Sequence, residues 1–366
     1  MRNYLKNYTV TLTVMGPIFI GSGNELTKKE YIRKGNKIIV PKFEEMYLDI
    51  EKEGKTQSFE AYMTGNDRTG LDRWIRNEGI KDSYIDKWTK YTLDCSGIEN
   101  ENNMQIMTFV KDNYGNPYIP GSSIKGMLRT ILLADDIVQK PSKYESVKKE
   151  IKSNLVPQNR INRNNYLKQQ DRHINEMAFN TLKRTDKKSD MVNDKLTGLI
   201  VGDSEPVDVN SLTVCQKIER HVDGEKTRLN LSRECLKPGT HVKFALTIDT
   251  SLCDITIEQI NRAIETFANL YNKFYVSKFK VKPIQNNYVL LGGGVGFPSK
   301  TVIGALFGEE SVDIIPKIFK ATKVPANHKH DRDKSYGVSP HIIKYTSYNN
   351  SSYKFGLCTL TFEQNF

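Results

Sequence analysis

The sequence has no run of 18 apolar residues, so no membrane-spanning helix is expected. Its opening stretch, MRNYLKNYTVTLTVMGPIF, alternates with Thr and lacks the small-residue cleavage site of a secretion signal, and a cytoplasmic location is expected. Cysteine is scarce. Cys95, Cys215, Cys235, Cys253 and Cys358 form no C-x-x-C pair, which excludes a disulfide framework and predicts reduced, buried thiols. Clustered zinc ligands are missing as well. The nearest approach is HKHD at 328–331, whose polar flanks read as a solvated loop rather than a metal site. G-x-S-x-G, H-E-x-x-H and paired-carboxylate motifs are absent. No cofactor and no metal are therefore expected. Acidic charge is in deficit: 43 Asp and Glu face 54 Lys and Arg, for a net charge of +11.

What is present fits a folded protein. Apolar residues make up 38% and charged residues 27%, a balance that excludes a disordered chain. At 366 residues there is room for two or three domains. The basic surplus is concentrated. Residues 138–195 hold 14 Lys and Arg against 7 Asp and Glu, and 316–345 hold 7 against 2. Such fields favour a polyanion. Eighteen Tyr and 15 Phe add surfaces on which single-stranded RNA bases can stack, although most must serve the core.

Periodicity places the elements. YTVTLTV alternates Val10, Leu12 and Val14 with Thr, a half-buried strand ending at Gly16-Pro17. KIIVPKF is a second strand, and FEEMYLDIEKEG a helix stopped by Gly54. SFEAYMTGNDRTGLDRWIRNEG reads as a helical, polar excursion. MQIMTFVKDNYGNPYIP predicts a hairpin with a return strand, followed by a helix that Ser122 or Ser123 would cap. Residues 141–195 form a basic, partly helical insertion, with PQNRINRNNYLKQQDRH read as a mobile loop. Beyond it come strands, a hairpin turning at Asp223 and Gly224, a long amphipathic helix near 256–280, and two closing strands. The expected fold is α+β: two tandem ferredoxin-like (RRM-like) halves, 1–140 and 196–366, joined by the insertion.

Three glycine corners carry the chemistry. LLGGGVGFPSKT, 290–301, looks like a nucleotide phosphate loop, but Ser299 replaces the glycine before Lys300 and Pro298 removes an N–H donor. Nucleotide hydrolysis is disfavoured. Gly292, Gly293 and Gly294 instead permit close backbone approach, either to a sugar-phosphate strand gripped with Lys300 or simply within a tight turn. In YIPGSSIKGMLRT, 118–130, Gly121, Ser122 and Ser123 open a helix whose N–H groups favour an anion, with Lys125 and Arg129 four apart on one face. A solvated basic helix explains that pattern equally well. FIGSG, 19–23, is the third corner and is weak alone.

Together, FIGSG after the first strand, IPGSSIKGMLR and the late GGGVGFPSKT resemble the RAMP superfamily of CRISPR proteins, and within it the filament-end subunits of type III-A Csm effector complexes. The resemblance covers nearly the whole chain. It implies two RRM-like domains and a non-catalytic, RNA-binding subunit that caps the filament near the crRNA 3′ end and supports crRNA maturation and assembly. The implied partners are crRNA, the backbone RAMP subunit, the small subunit and host nucleases that trim crRNA, with no membrane and no small-molecule substrate. Carried over by position, the RNA-binding residues would be Ile20, Gly21, Ser22, Gly23, Gly121, Ser122, Ser123, Lys125, Gly126, Arg129, Gly292, Gly293, Gly294 and Lys300. The backbone subunits cut target RNA with an acidic loop residue after the first strand. Here that region offers only Glu25 and Glu30, and cleavage is not assigned. The enzymatic rival is a metal-independent processing endoribonuclease, for which His173 and His221 are the accessible acid–base groups.

Overall fold

The computed structural model describes residues 4–66, 69–98, 105–155 and 165–365. The strands are β1 (Leu5–Val14), β2 (Gly21–Leu26), β3 (Ile32–Lys34), β4 (Lys37–Pro41), β5 (Thr89–Asp94), β6 (Ile106–Phe109), β7 (Leu199–Val201), β8 (Leu212–His221), β9 (Lys226–Leu236), β10 (His241–Asp249), β11 (Tyr288–Leu290), β12 (Ile342–Tyr348), β13 (Ser351–Lys354) and β14 (Leu357–Asn365). They form two sheets. The first runs β11-β14-β1-β10-β7 and is antiparallel throughout. The second runs β2-β6-β9-β8-β5-β4-β3, with β12 and β13 branching from β8. Its β5–β8 and β6–β9 pairings are parallel.

The fold is a mixed α+β one. The two halves expected from the sequence share both sheets. β1 pairs with β10 and β14, while β5 and β6 pair with β8 and β9. The reason lies in β1. Its Val10, Leu12 and Val14 are fully buried, so both of its edges must be paired inside the main core.

Two long helices lie side by side: α5 (Gly121–Gln139) and α8 (Ile257–Phe274). In α8 the buried positions Ile260, Ala263, Ile264, Phe267 and Tyr271 recur at three- and four-residue spacing, and Thr256 with Gln259 closes a capping box. Arg262 and Thr266 of α8 both donate to Asp135 of α5, at 2.9 and 2.8 Å. Truncating a fully buried residue such as Leu128 would cost roughly 2–5 kcal/mol.

The remaining helices are α1 (Phe43–Lys52), α2 (Thr56–Thr64), α3 (Leu71–Asn77), α4 (Asp82–Trp88), α6 (Glu145–Asn154), α7 (Lys168–Phe179), α9 (Ile303–Phe307), α10 (Ser311–Ala321) and α11 (Asp333–Tyr336). The excursion read at 58–79 is helical, in α2 and α3, but it is not merely polar; together with α1 and α4 these helices form a packed unit. They enclose a second core of Met46, Ile50, Phe59, Tyr62, Trp74 and Trp88, packed on Ile32 and Ile39 of β3 and β4. Their polar residues only coat the outside. Lys29 donates to the carbonyls of Tyr62 and Gly65 at 2.7 Å each, neutralising the C-terminus of α2.

The hairpin expected near 105–120 is also trimmed. Its return arm is a single bridge, Lys111 to Pro117, because Pro117 and Pro120 have no N–H to donate. Within the insertion, α6 and α7 account for the helical part. Of the stretch 157–173 read as a mobile loop, 157–164 lies outside the described residues, whereas its end from Lys168 is the first half of α7 and so is helical. All five cysteines are buried free thiols.

Candidate functional site

After β11 the chain turns through glycines. Gly292, Gly294 and Gly296 have φ of +88°, +86° and +93°, a region where only glycine is unstrained. A Cβ on Gly292 would overlap the Phe19 carbonyl oxygen, and the Gly293 N–H donates to that same oxygen at 2.7 Å. The loop is therefore docked on the β1–β2 connection. Two of the three glycine corners meet here, 20–23 and 292–294. Ile20 is buried against Gly292, and Gly21 begins β2. Ser22 Oγ lies 2.6 Å from Thr108 Oγ1, while Gly23, at φ +92°, faces open space. The Gly293 donor serves a protein carbonyl, so the tight-turn role accounts for this glycine's N–H.

The unusual feature of this seam is a residue the motifs did not mark. A Cβ on Gly294 would sit 3.0 Å from Arg233 Nη1. Arg233, on β9, is 9% exposed, and its guanidinium lies between the Phe19 and Phe355 rings, 5.2 and 5.7 Å from their centroids. Its Nε and Nη1 are buried and have no hydrogen-bond partner among the described residues. Burial lowers its pKa, but a guanidinium stays charged. Buried charges in folded proteins are ordinarily paired, because an unpaired one costs several kcal/mol. Lys300 adds a second cation. Burial of its ammonium and the charge of Arg233 both lower its pKa.

The third corner lies elsewhere and is partly occupied by the protein itself. The expected serine cap is not formed. Pro120 is the N-cap of α5, without a side-chain cap, and the first helical N–H, that of Gly121, donates to Asp203 Oδ1 at 2.7 Å. A carboxylate from the segment after β7 does the work a serine was expected to do. Gly121 has no alternative residue, since a Cβ would overlap the Val201 carbonyl. Ser122 is exposed, Ser123 is half-buried and Gly126 faces open space. Arg129 donates to Asn175 Oδ1 at 2.8 Å and to Asp194 Oδ2 at 2.7 Å, and stacks on Phe179. It ties α5 to α7. Burial lowers the pKa of Lys125, with Asp194 opposing and Arg129 reinforcing the shift. Among the described residues its ammonium has no hydrogen bond or ion pair.

Arg129 and Lys300 nonetheless share one feature. Both line a groove of about 1060 Å³ between α5, α7 and α9, floored by Leu133, Ile303 and Leu306. The groove thus links the α5 corner to the glycine loop. The rival acid–base groups separate. His173 faces Glu150 at 3.6 Å on the exposed α6–α7 pair, while His221 joins a histidine cluster near His341. Glu30 is used locally, its Oε2 accepting from the backbone N–H and hydroxyl of Thr27 at 2.8 Å each.

Three comparisons bear on this architecture. The family model of the RAMP superfamily matches residues 11–346. A protein of Mycobacterium tuberculosis (strain CDC 1551 / Oshkosh) called "CRISPR system Cms protein Csm5" is 29% identical over 391 residues, covering 99% of each chain. Its namesake from Streptococcus thermophilus is 26% identical over 350 residues, covering 89% of this chain and 90% of that one. Among solved structures, a chain of the "Csm-crRNA-target RNA ternary complex in type III-A CRISPR-Cas system" superposes with a TM-score of 0.66 at 19% identity, covering 97% of this chain and 100% of that one. The crystal structure of T. onnurineus Csm5 gives a TM-score of 0.60 at 18% identity, covering 95% and 99%. With the family model spanning nearly all of the chain and full-length relatives agreeing, this protein belongs to the RAMP superfamily.

Proposed function

We propose that this chain is a non-catalytic RNA-binding subunit of a type III-A CRISPR ribonucleoprotein. It grips the guide RNA backbone near the 3′ end, caps the protein filament there, and supports crRNA maturation and assembly. Its partners are crRNA and the backbone and small subunits of the complex, and its two halves are read as RRM-like. The relatives named Csm5 and the ternary-complex neighbour support this reading.

The observation that carries it is Arg233: a buried guanidinium beneath the glycine loop, beside Lys300, with Nε and Nη1 unpartnered. A phosphate is the ligand that such a pair of cations lacks. The groove that Lys300 lines also reaches Arg129 of α5, and we assign to the same RNA-binding surface Lys125, Ser122, Ser123 and Gly126 of α5 together with Ser22 and Gly23. Contacts of this kind position a strand without reading its bases. Binding of single-stranded guide RNA to the full chain is expected to fall steeply with salt, and Lys300→Ala to reduce the slope of log K against log salt by about 1. A flat salt response would contradict the reading. So would discrete cuts in precursor RNA incubated with the protein in EDTA and lost in His221→Ala.

A further inference from the structure

Four of the six histidines meet at one place, distinct from the glycine seam. The ring centroids of His221 and His341 are 5.6 Å apart, those of His341 and His330 5.4 Å, and those of His330 and His328 5.9 Å. At the centre is Asp333, the first residue of α11, which is fully buried. Its carboxylate accepts from Ser339 Oγ at 2.5 Å, from His330 Nδ1 at 3.1 Å, and from His341 Nδ1. The donor atoms of His330, Asp333 and His341 all lie within 4.8 Å of one another. Phe319 packs on His330 and Tyr336 on His341, so the cluster has apolar walls.

We propose that His330, Asp333 and His341 form a binding site for one borderline divalent transition-metal ion, zinc being the natural occupant. Two imidazoles from different segments turn the same kind of nitrogen onto one carboxylate. Such an N, N, O set suits zinc, cobalt or nickel. Magnesium and calcium require oxygen ligands throughout. At metal–ligand distances near 2.0–2.2 Å, neighbouring ligand atoms lie about 3.3 Å apart. The two His330 Nδ1–Asp333 oxygen separations, 3.1 and 3.4 Å, already match. On binding, the proton of each imidazole moves from Nδ1 to Nε2, which leaves Nδ1 free to coordinate with no proton released. The buried carboxylate supplies one negative charge, and Ser339 Oγ stands beside it to orient that group. An occupied site would staple the segment bearing His330 and Asp333 to β8 through His341, whose carbonyl accepts from the Val222 N–H at 3.1 Å.

The test uses tag-free full-length protein, stripped with EDTA, dialysed free of chelator and titrated with cobalt. The expected result is visible d–d absorption that saturates at one equivalent and is bleached by zinc. His341→Ala and His330→Gln should abolish it, whereas His241→Ala, on β10, should leave it intact. His330 is only partly buried, so its conservative variant decides the matter should His341→Ala lose the fold by circular dichroism. No d–d bands in the wild-type protein, or bands that persist in His330→Gln, would overturn the site.

Discussion

Arg233 and Glu234 are neighbours on β9, and their side chains lie on opposite faces of one sheet in contrasting surroundings. Glu234 is fully buried, and its carboxylate accepts from the Tyr91 hydroxyl at 2.8 Å, from the Phe109 N–H at 2.8 Å and from Lys111 Nζ. Arg233 is nearly as buried, yet its Nε and Nη1 have no hydrogen-bond partner among the described residues and the Phe19 and Phe355 rings flank its guanidinium. The same strand therefore carries one charge completed by the fold and one whose Nε and Nη1 the described residues leave without hydrogen bonds. The first belongs to stability and the second, in this account, to binding.

The two faces should break differently. The largest effect is expected at Glu234→Ala. Removing that carboxylate strands the Lys111 ammonium and the Phe109 N–H in the interior, at a cost of about 3–5 kcal/mol measured by chemical denaturation. Combining Glu234→Leu with Lys111→Met should recover part of the loss, because an apolar pair leaves no orphaned charge. If Glu234→Ala proved neutral, the distinction between the faces would collapse.

A smaller effect lies in the α1–α4 unit, where Asp49 is another completed charge. It accepts from Lys87 at 2.5 Å, Trp88 Nε1 at 3.0 Å and Lys52 at 3.3 Å. These bonds, led by that of Lys87, hold its carboxyl down at about 2 from the usual 3.8. The folded chain thus keeps Asp49 ionised at a pH where the unfolded chain has protonated it. Its contribution is complete above about pH 4 and is lost as the pH falls towards 2. Asp49→Asn should flatten the acid limb of a stability–pH profile while changing RNA affinity little.

Much of this was legible in the sequence. Period-two alternation marked β1 and β10, and apolar spacing marked α8. The glycine corners were visible because glycine has few other reasons to occur in threes. What escaped notice was which groups each corner would meet. Nothing near Gly121 signals that Asp203, 82 residues on, would take the serine's place at the helix start. Nothing near Phe19 signals that its carbonyl would fill the turn at Gly292. Arg233 escaped because motifs reward charge beside glycine, whereas this charge lies on a strand far away in sequence. The available signal was the pair Arg233 and Glu234 inside NLSRECL, two charges in a stretch buried at every position from Ser232 to Leu236. HKHD reads as a solvated loop because only His330 of that motif belongs to the proposed ligand set; Asp333 and His341, which lie near it, fall outside 328–331.

The most direct test is Arg233→Met, read twice in the same protein. Methionine keeps the bulk between Phe19 and Phe355 and removes an unpaired charge, so the melting temperature should be unchanged or higher. Guide-RNA affinity should fall about tenfold or more, the worth of charge-assisted hydrogen bonds to a phosphate. A variant that melts lower and binds RNA as the parent does would show that Arg233 serves the fold, and would contradict the account.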